Sequence, residues 1–372
     1  MQRKSRVFLI AGVLMTVAPL VQVEEAAEAK KAFDDASAAY KRHDLDTAIA
    51  GYTEAIRLDP KWAVAYANRS NALRERGNRG DQDRAIADCT EAIRLDSKLA
   101  DAYFNRAVLY QDKRDYSKAT ADFTDAFRLN PNDVEACTNI GIAVARNGDH
   151  DKAISYFSEA IRLDPRFAKA FTNRGIALTA KGDVEKAIAD YTEAIRLDPN
   201  DPIAYYNRAA AFKKKGDLDR AIADDTEAIR LNAKFAAAYD NRGIAYRNKG
   251  EIDKAIADYD EAIRLDPKFV DAFVNRGVAY KQKQEFEKAT ADFDEALRID
   301  PKLAGAYFDR GTVDDDMGDV NQAIADYTQA IRLDPKYAPA YKNRGIAYDK
   351  KGDHEKAMAD FAEAEKLVLP VK

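Results

Sequence analysis

Residues 166–199 read RFAKAFTNRGIALTAKGDVEKAIADYTEAIRLDP, and this stretch decides the fold. Phe171, Gly175 and Leu178 stand at i, i+4 and i+7 in its first half, one stripe of a helix. That helix is predicted from Ala168 to Ala180. Lys181-Gly182-Asp183 stops it, because glycine adopts the left-handed conformation of a helix end and Asp caps the helix that follows. The second helix carries Ala187, Tyr191, Ala194, Ile195 and Leu197. Asp198-Pro199 closes it, since proline cannot continue a helix. Glu193 and Arg196 are three apart on that helix and within pairing reach, as are Glu54 with Arg57 and Glu261 with Arg264.

The same phrase recurs on both sides of this stretch. Asn-Arg stands at Asn68, Asn105, Asn173, Asn207, Asn241, Asn275 and Asn343, with degenerate copies at Asn139 (followed by Ile) and Asp309 (followed by Arg). Successive spacings are 37 once and then 34 throughout; the long one reflects three extra residues around Asn78-Arg79-Gly80. E-A-I-R-L-D-P keeps the same period at Glu54–Pro60, Glu193–Pro199 and Glu261–Pro267. The period divides 27–371 into ten helical hairpins, at about 29–62, 63–99, 100–133, 134–167, 168–201, 202–235, 236–269, 270–303, 304–337 and 338–371. Small residues fill one first-helix column (Ser70, Ala107, Gly141, Gly175, Ala209, Gly243 and onward to Gly345), and Ala48 to Ala357 fill a second-helix column, so paired helices approach closely. One hairpin cannot bury its apolar face alone, so each stacks on the next and the fold class is all-α.

A-Y-x-N-R-G-x-A-Y…G-D…K-A-I-A-D-Y-x-E-A-I-R-L-D-P resembles the tetratricopeptide repeat over about nine-tenths of the chain. The resemblance implies a right-handed superhelical solenoid whose first helices line a concave groove, and a groove that holds an extended peptide or a partner's helix. It implies binding without naming what is bound. In this family the Asn of the repeat often faces the groove, so Asn68, Asn105, Asn139, Asn173, Asn207, Asn241, Asn275 and Asn343 are the candidate ladder. An amide offers both a donor and an acceptor to a peptide group. The alternative is a structural amide bonded to a neighbouring helix.

The remaining columns give further candidates. Val108, Ile142, Ile176, Ile244, Val278 and Ile346 either line the groove or complete the core, and the core is favoured. Lys213, Arg247 and Lys281 make the far ends of three first helices basic, and Asp314, Asp315 and Asp316 make the next acidic. A charged rim at Lys213, Arg247, Lys281 and Asp315 would attract and orient a charged segment; solvated helix ends are the plainer reading. Asp225 and Asp314 each replace an aromatic residue of a packing column, which is costly unless the carboxylate is paired or wetted, and would mark softer joints. Cys89 and Cys137 also fall in aromatic columns and are expected as buried core residues. Phe104, Tyr206 and Phe308 hold a more exposed position, the feature on which a glycan-binding alternative rests.

Composition narrows the function classes. A net charge of -5 argues against a general nucleic-acid binder. Two cysteines and three scattered histidines form no disulfide framework and no metal-ligand pattern, and no nucleophile–base pair or phosphate loop is visible, so neither catalysis nor a cofactor is expected. Gln2–Arg6 is basic, Val7–Val23 is uncharged and largely apolar, and Glu24-Glu25 follows. Residues 1–26 therefore read as a signal peptide or membrane anchor, and the rest of the chain is expected in the periplasm or otherwise outside the cytoplasm. The leading expectation is an interaction scaffold. Its alternatives are an envelope scaffold for polysaccharide export or cell-wall assembly, and a homo-oligomer associating through terminal hairpins.

Overall fold

Twenty helices and their short turns make up the computed structural model, which describes residues 11–368, with side chains from residue 24. The chain divides into two compact units, Met1–Asp183 and Val184–Lys372. The first holds α1 (Ala11–Lys41), α2 (Leu45–Leu58), α3 (Ala63–Arg76), α4 (Asp81–Leu95), α5 (Ala100–Asp112), α6 (Tyr116–Leu129), α7 (Val134–Arg146), α8 (His150–Leu163) and α9 (Ala168–Lys181). The second holds α10 (Val184–Leu197), α11 (Pro202–Lys214), α12 (Leu218–Leu231), α13 (Ala236–Asn248), α14 (Ile252–Leu265), α15 (Val270–Gln282), α16 (Phe286–Ile299), α17 (Ala304–Met317), α18 (Val320–Leu333), α19 (Ala338–Lys350) and α20 (His354–Val368). Within each unit consecutive helices pack on one another, and first helices also touch the next first helix: α3 on α5 and α7 on α9 in the first unit, and α11, α13, α15, α17 and α19 in series in the second.

α1 runs unbroken from Ala11 to Lys41, so the boundary drawn at residue 26 falls inside a helix. Glu24 to Lys41 contains neither glycine nor proline, and nothing there stops a helix. Residues 1–10, with the basic run, lie outside the described residues. Among the described residues no helix is long and apolar enough to cross a membrane.

The turns follow their local chemistry. Gly182, Gly216, Gly250 and their equivalents close first helices at φ near +80° to +91°, and Asp115, Asp149, Asp217 and Asp319 cap the helices that follow. His43, Arg114 and Gln284 take the left-handed position at φ 62°, 60° and 62° in place of glycine. After most second helices an Asp or Asn side chain accepts a backbone N–H two residues on, as Asp266 does from Lys268 at 2.9 Å.

Packing explains the small column. A Cβ on Gly243 would lie 2.6 Å from Tyr259 Cε1, and one on Gly141 would lie 2.6 Å from Phe157 Cε1. Where the ring is lost, the opposing position is not held to glycine. Cys89 Sγ donates to Ser70 Oγ at 3.1 Å, and Ala209 stands sixteen residues before Asp225, where Gly243 stands before Tyr259.

The Arg of Asn-Arg is the feature the sequence reading missed. Arg242 Nε and Nη2 donate to Asp258 at 2.8 and 2.7 Å, tying α13 to α14. Its Nη1 donates to Thr226 Oγ1 on α12 at 3.0 Å, and its guanidinium lies 5.6 Å from the centre of the Tyr239 ring. Arg69–Asp88, Arg106–Asp122, Arg208–Asp224, Arg276–Asp292, Arg310–Asp326 and Arg344–Asp360 repeat the fork. Each Asp is buried, so its cost of dehydration is met by two charge-assisted bonds.

Candidate functional site

The amide column lies on the first helices, and its members differ in what they already bind. In the first unit Asn68, Asn105, Asn139 and Asn173 are all half-buried. Asn173 Nδ2 donates to Lys169 O at 2.8 Å on its own helix, and Asn105 Nδ2 reaches Ala67 O at 3.5 Å on α3. Asn68 and Asn71 line a cleft with Ser37, Tyr40, Lys41 and Tyr52. In the second unit Asn207, Asn275 and Asn343 are half-buried. Asn207 Nδ2 donates to Ile203 O at 2.9 Å, and Asn275 Nδ2 to Asp240 Oδ1 at 2.9 Å. Asn241 stands apart, because it is buried, donates to Asp225 Oδ2 at 2.7 Å and accepts from Lys213 Nζ. Its amide is consumed inside the unit and offers nothing to the surface.

Asp225 is the reason. It is fully buried where Tyr259 stands in the next hairpin, and its Oδ1 has no partner. Burial pushes its carboxyl up to about 8. Asp314 is also buried, with Oδ2 unpartnered, and burial pushes it up to about 6.

The charged rim is not a set of solvated helix ends. Lys213, Arg247 and Lys281 are half-buried at equivalent positions of α11, α13 and α15. Burial holds the Lys213 ammonium below its ordinary range. Lys281 Nζ donates to Thr312 Oγ1 at 2.7 Å and lies 3.2 Å from Asp316. Asp315 is neutralised by Lys350 Nζ at 2.7 Å. The solvated cations are the next ones along: Lys215, Lys249 and Lys283 reach back to Glu185, Asp219 and Asp253.

The apolar column is mixed. Val108, Ile142, Ile244 and Val278 pack against core clusters, whereas Ile176 and Ile346 are 43% and 37% exposed. Phe104, Tyr206 and Phe308 are half-buried and packed on Phe123, Phe235 and the pair Tyr327 and Tyr337, so these rings are used in packing. Cys89 and Cys137 are fully buried and unpaired with each other, and burial pushes both thiols up to about 11.

Comparison with known proteins agrees with this geometry. Profiles of the TPR repeat match residues 175–216, 243–284 and 316–352, and profiles of the tetratricopeptide repeat match 104–166, 203–235, 270–303 and 338–367. No curated protein matches the chain significantly. Among solved structures, a tetratricopeptide repeat protein from Parabacteroides merdae is 20% identical, with 70% of this chain and 98% of that one covered and a TM-score of 0.52. The Cut9 complex with Hcn1 is similar at 16% identity, covering 91% of this chain and 73% of that one, with a TM-score of 0.55. YrrB, described as a TPR protein with an unusual peptide-binding site, is 26% identical over 50% of this chain and 95% of its own, with a TM-score of 0.41.

Proposed function

The chain belongs to the tetratricopeptide-repeat family, and we propose that it is a non-catalytic scaffold that binds an extended peptide or partner segment on the faces of its first helices. One observation carries this reading. Three half-buried amides of those helices spend Nδ2 on the protein and keep Oδ1 free: Asn173 and Asn207 donate to their own helices, Asn275 donates to Asp240, and no donor reaches their oxygens among the described residues. An extended peptide carries N–H groups that need such acceptors, and one amide per hairpin supplies them at regular intervals.

A random ten-residue peptide library displayed against the full chain tests this. Selected peptides should lose about tenfold or more in affinity when Asn68, Asn139, Asn207 and Asn275 are changed to Ala with the helical signal retained. Asn241 is left intact because its removal would unpair buried groups. Unchanged affinity would move binding away from the amide column and end the reading. Export from the cytoplasm is proposed with it, on Gln2–Arg6 and the apolar stretch that follows. Cell fractionation with sequencing of the mature N-terminus checks that part.

A further inference from the structure

Every half-buried arginine of the described residues has a partner inside the chain except Arg247. Seven of them fork onto a buried Asp, and Arg76 does the same with Asp81. Arg242, five residues earlier on the same helix, makes three such bonds. A guanidinium carries five donors that cannot be deprotonated away, so a half-dehydrated one with no bound acceptor has donors to give.

Two further cations, Lys213 and Lys281, stand at the equivalent positions of the flanking first helices. Lys213 is bonded to the neutral Asn241 oxygen, and Lys281 shares its ammonium between Thr312 and Asp316. Two carboxylates lie within electrostatic reach of Arg247, Asp240 and Asp309. Asp240 already accepts from Asn275. The carboxylate of Asp309 makes no hydrogen bond or ion pair among the described residues, and burial pushes it up to about 6.

We propose that the face of α11, α13 and α15 is a station for an acidic peptide segment, with Arg247 forking onto one side-chain carboxylate and Lys213 and Lys281, whose bonds stay inside the unit, adding only their charge. This rests on the peptide-binding reading above and adds the chemistry of the peptide. The three helices are consecutive first helices in contact, so the row spans about two helix spacings, on the order of 20 Å. About six extended residues cover that length. Beyond the row the sign reverses at Asp315, Asp316 and Asp349. The equivalent positions there supply no cation, so the row fits a short acidic segment and not a long one.

The test uses the full chain and two labelled seven-residue peptides, one alternating Glu and Ser and one with Gln at every Glu, read by fluorescence anisotropy at low salt. The Glu peptide should bind tighter than the Gln peptide and weaken as salt rises. Arg247→Gln should weaken the Glu peptide by about tenfold or more, Arg247→Lys by less, and Lys336→Gln, an exposed cation on another turn, not at all. Equal binding of the Glu and Gln peptides, or an Arg247→Gln variant with undiminished affinity, overturns the proposal and shows Arg247 to be a balance for Asp240 and Asp309 only. A seven-nucleotide single strand that binds through Arg247 more tightly than the Glu peptide also overturns it. Loss of the Gln peptide on removal of Asn207 and Asn275, without any preference for Glu, would keep the groove reading while ending this one. Binding of neither peptide ends this one and leaves the library selection to decide the other.

Discussion

Asp225→Asn should abolish one specific slope in the pH dependence of stability. The carboxyl of Asp225 is fully buried, receives one hydrogen bond from Asn241 and sits at about 8, against about 3.9 in an unfolded chain. Between those values the folded protein holds a proton that the unfolded chain has released. Stability is therefore fully present below about pH 4 and is lost as pH rises toward 8, by up to about 1.4 kcal/mol per pH unit. From pH 5 to pH 8 the loss approaches about 4 kcal/mol as an upper bound, since water entry and local relaxation reduce it. Asn at this position has the shape of the protonated acid, still accepts from Asn241 and does not titrate. Asp240 and Asp309 titrate in both proteins, so the difference between parent and variant reports residue 225 together with Lys213, whose ammonium faces it. Repeat arrays unfold in parts. The appropriate assay is amide hydrogen exchange in α12 and α13, corrected for the intrinsic rate at each pH. Parent and variant should agree near pH 4 and diverge toward pH 8, with the variant better protected. Parallel curves would show that Asp225 ionises as a surface carboxylate does, and the assignment of a neutral buried acid would fail.

Asp258→Ala should cost about 3 kcal/mol by leaving the Arg242 guanidinium half-buried and unpaired, and adding Arg242→Met should recover much of the loss; urea unfolding of the second unit reads both. Gln284→Gly should stabilise by about 1 kcal/mol, because φ is 62° there and a side chain is strained in that conformation, and the melting temperature should rise. Affinity for the Glu peptide should increase as pH falls from 7.5 to 5.5, because Asp309, facing Lys281 and Arg247 with Tyr337 nearby, takes up its proton near 6 and stops competing for the cations. Asp309→Asn should bind well throughout and flatten that dependence in the anisotropy titration.

The hairpins were legible because their signals are local. An apolar stripe, a glycine and a capping Asp lie within a dozen residues, and a period of 34 repeats each phrase until chance is excluded. The start of α1 was not, because a run of helix-forming residues carries no mark where a helix ought to begin. The Arg–Asp forks were missed for a different reason. Their partners stand sixteen or nineteen residues apart on different helices, and in a chain with 33% charged residues each one alone reads as a solvated charge. A signal did exist: both columns persist through nearly every hairpin, and the Asp precedes the aromatic column that must be buried.

Position by position, the columns that vary least are accounted for by the hairpin itself. Gly243 yields to a ring, Arg242 ties two helices, and Asp266 folds a turn. Whatever distinguishes one hairpin from the next must then lie where the columns vary. The first-helix position that reads Tyr206, Asp240, Val274, Phe308 and Lys342 is one such place, and the one that reads Lys213, Arg247, Lys281, Asp315 and Asp349 is another. Asp225 joins them by breaking the aromatic column: without a ring there, Asn241 turns inward, Lys213 follows its oxygen, and both are spent inside the unit. Arg247, one hairpin on, meets Tyr259 where Lys213 meets Asp225, so no buried amide or carboxylate captures it. The same column thus yields a consumed cation in one hairpin and an available one in the next, and the difference traces to a single residue on the opposing helix.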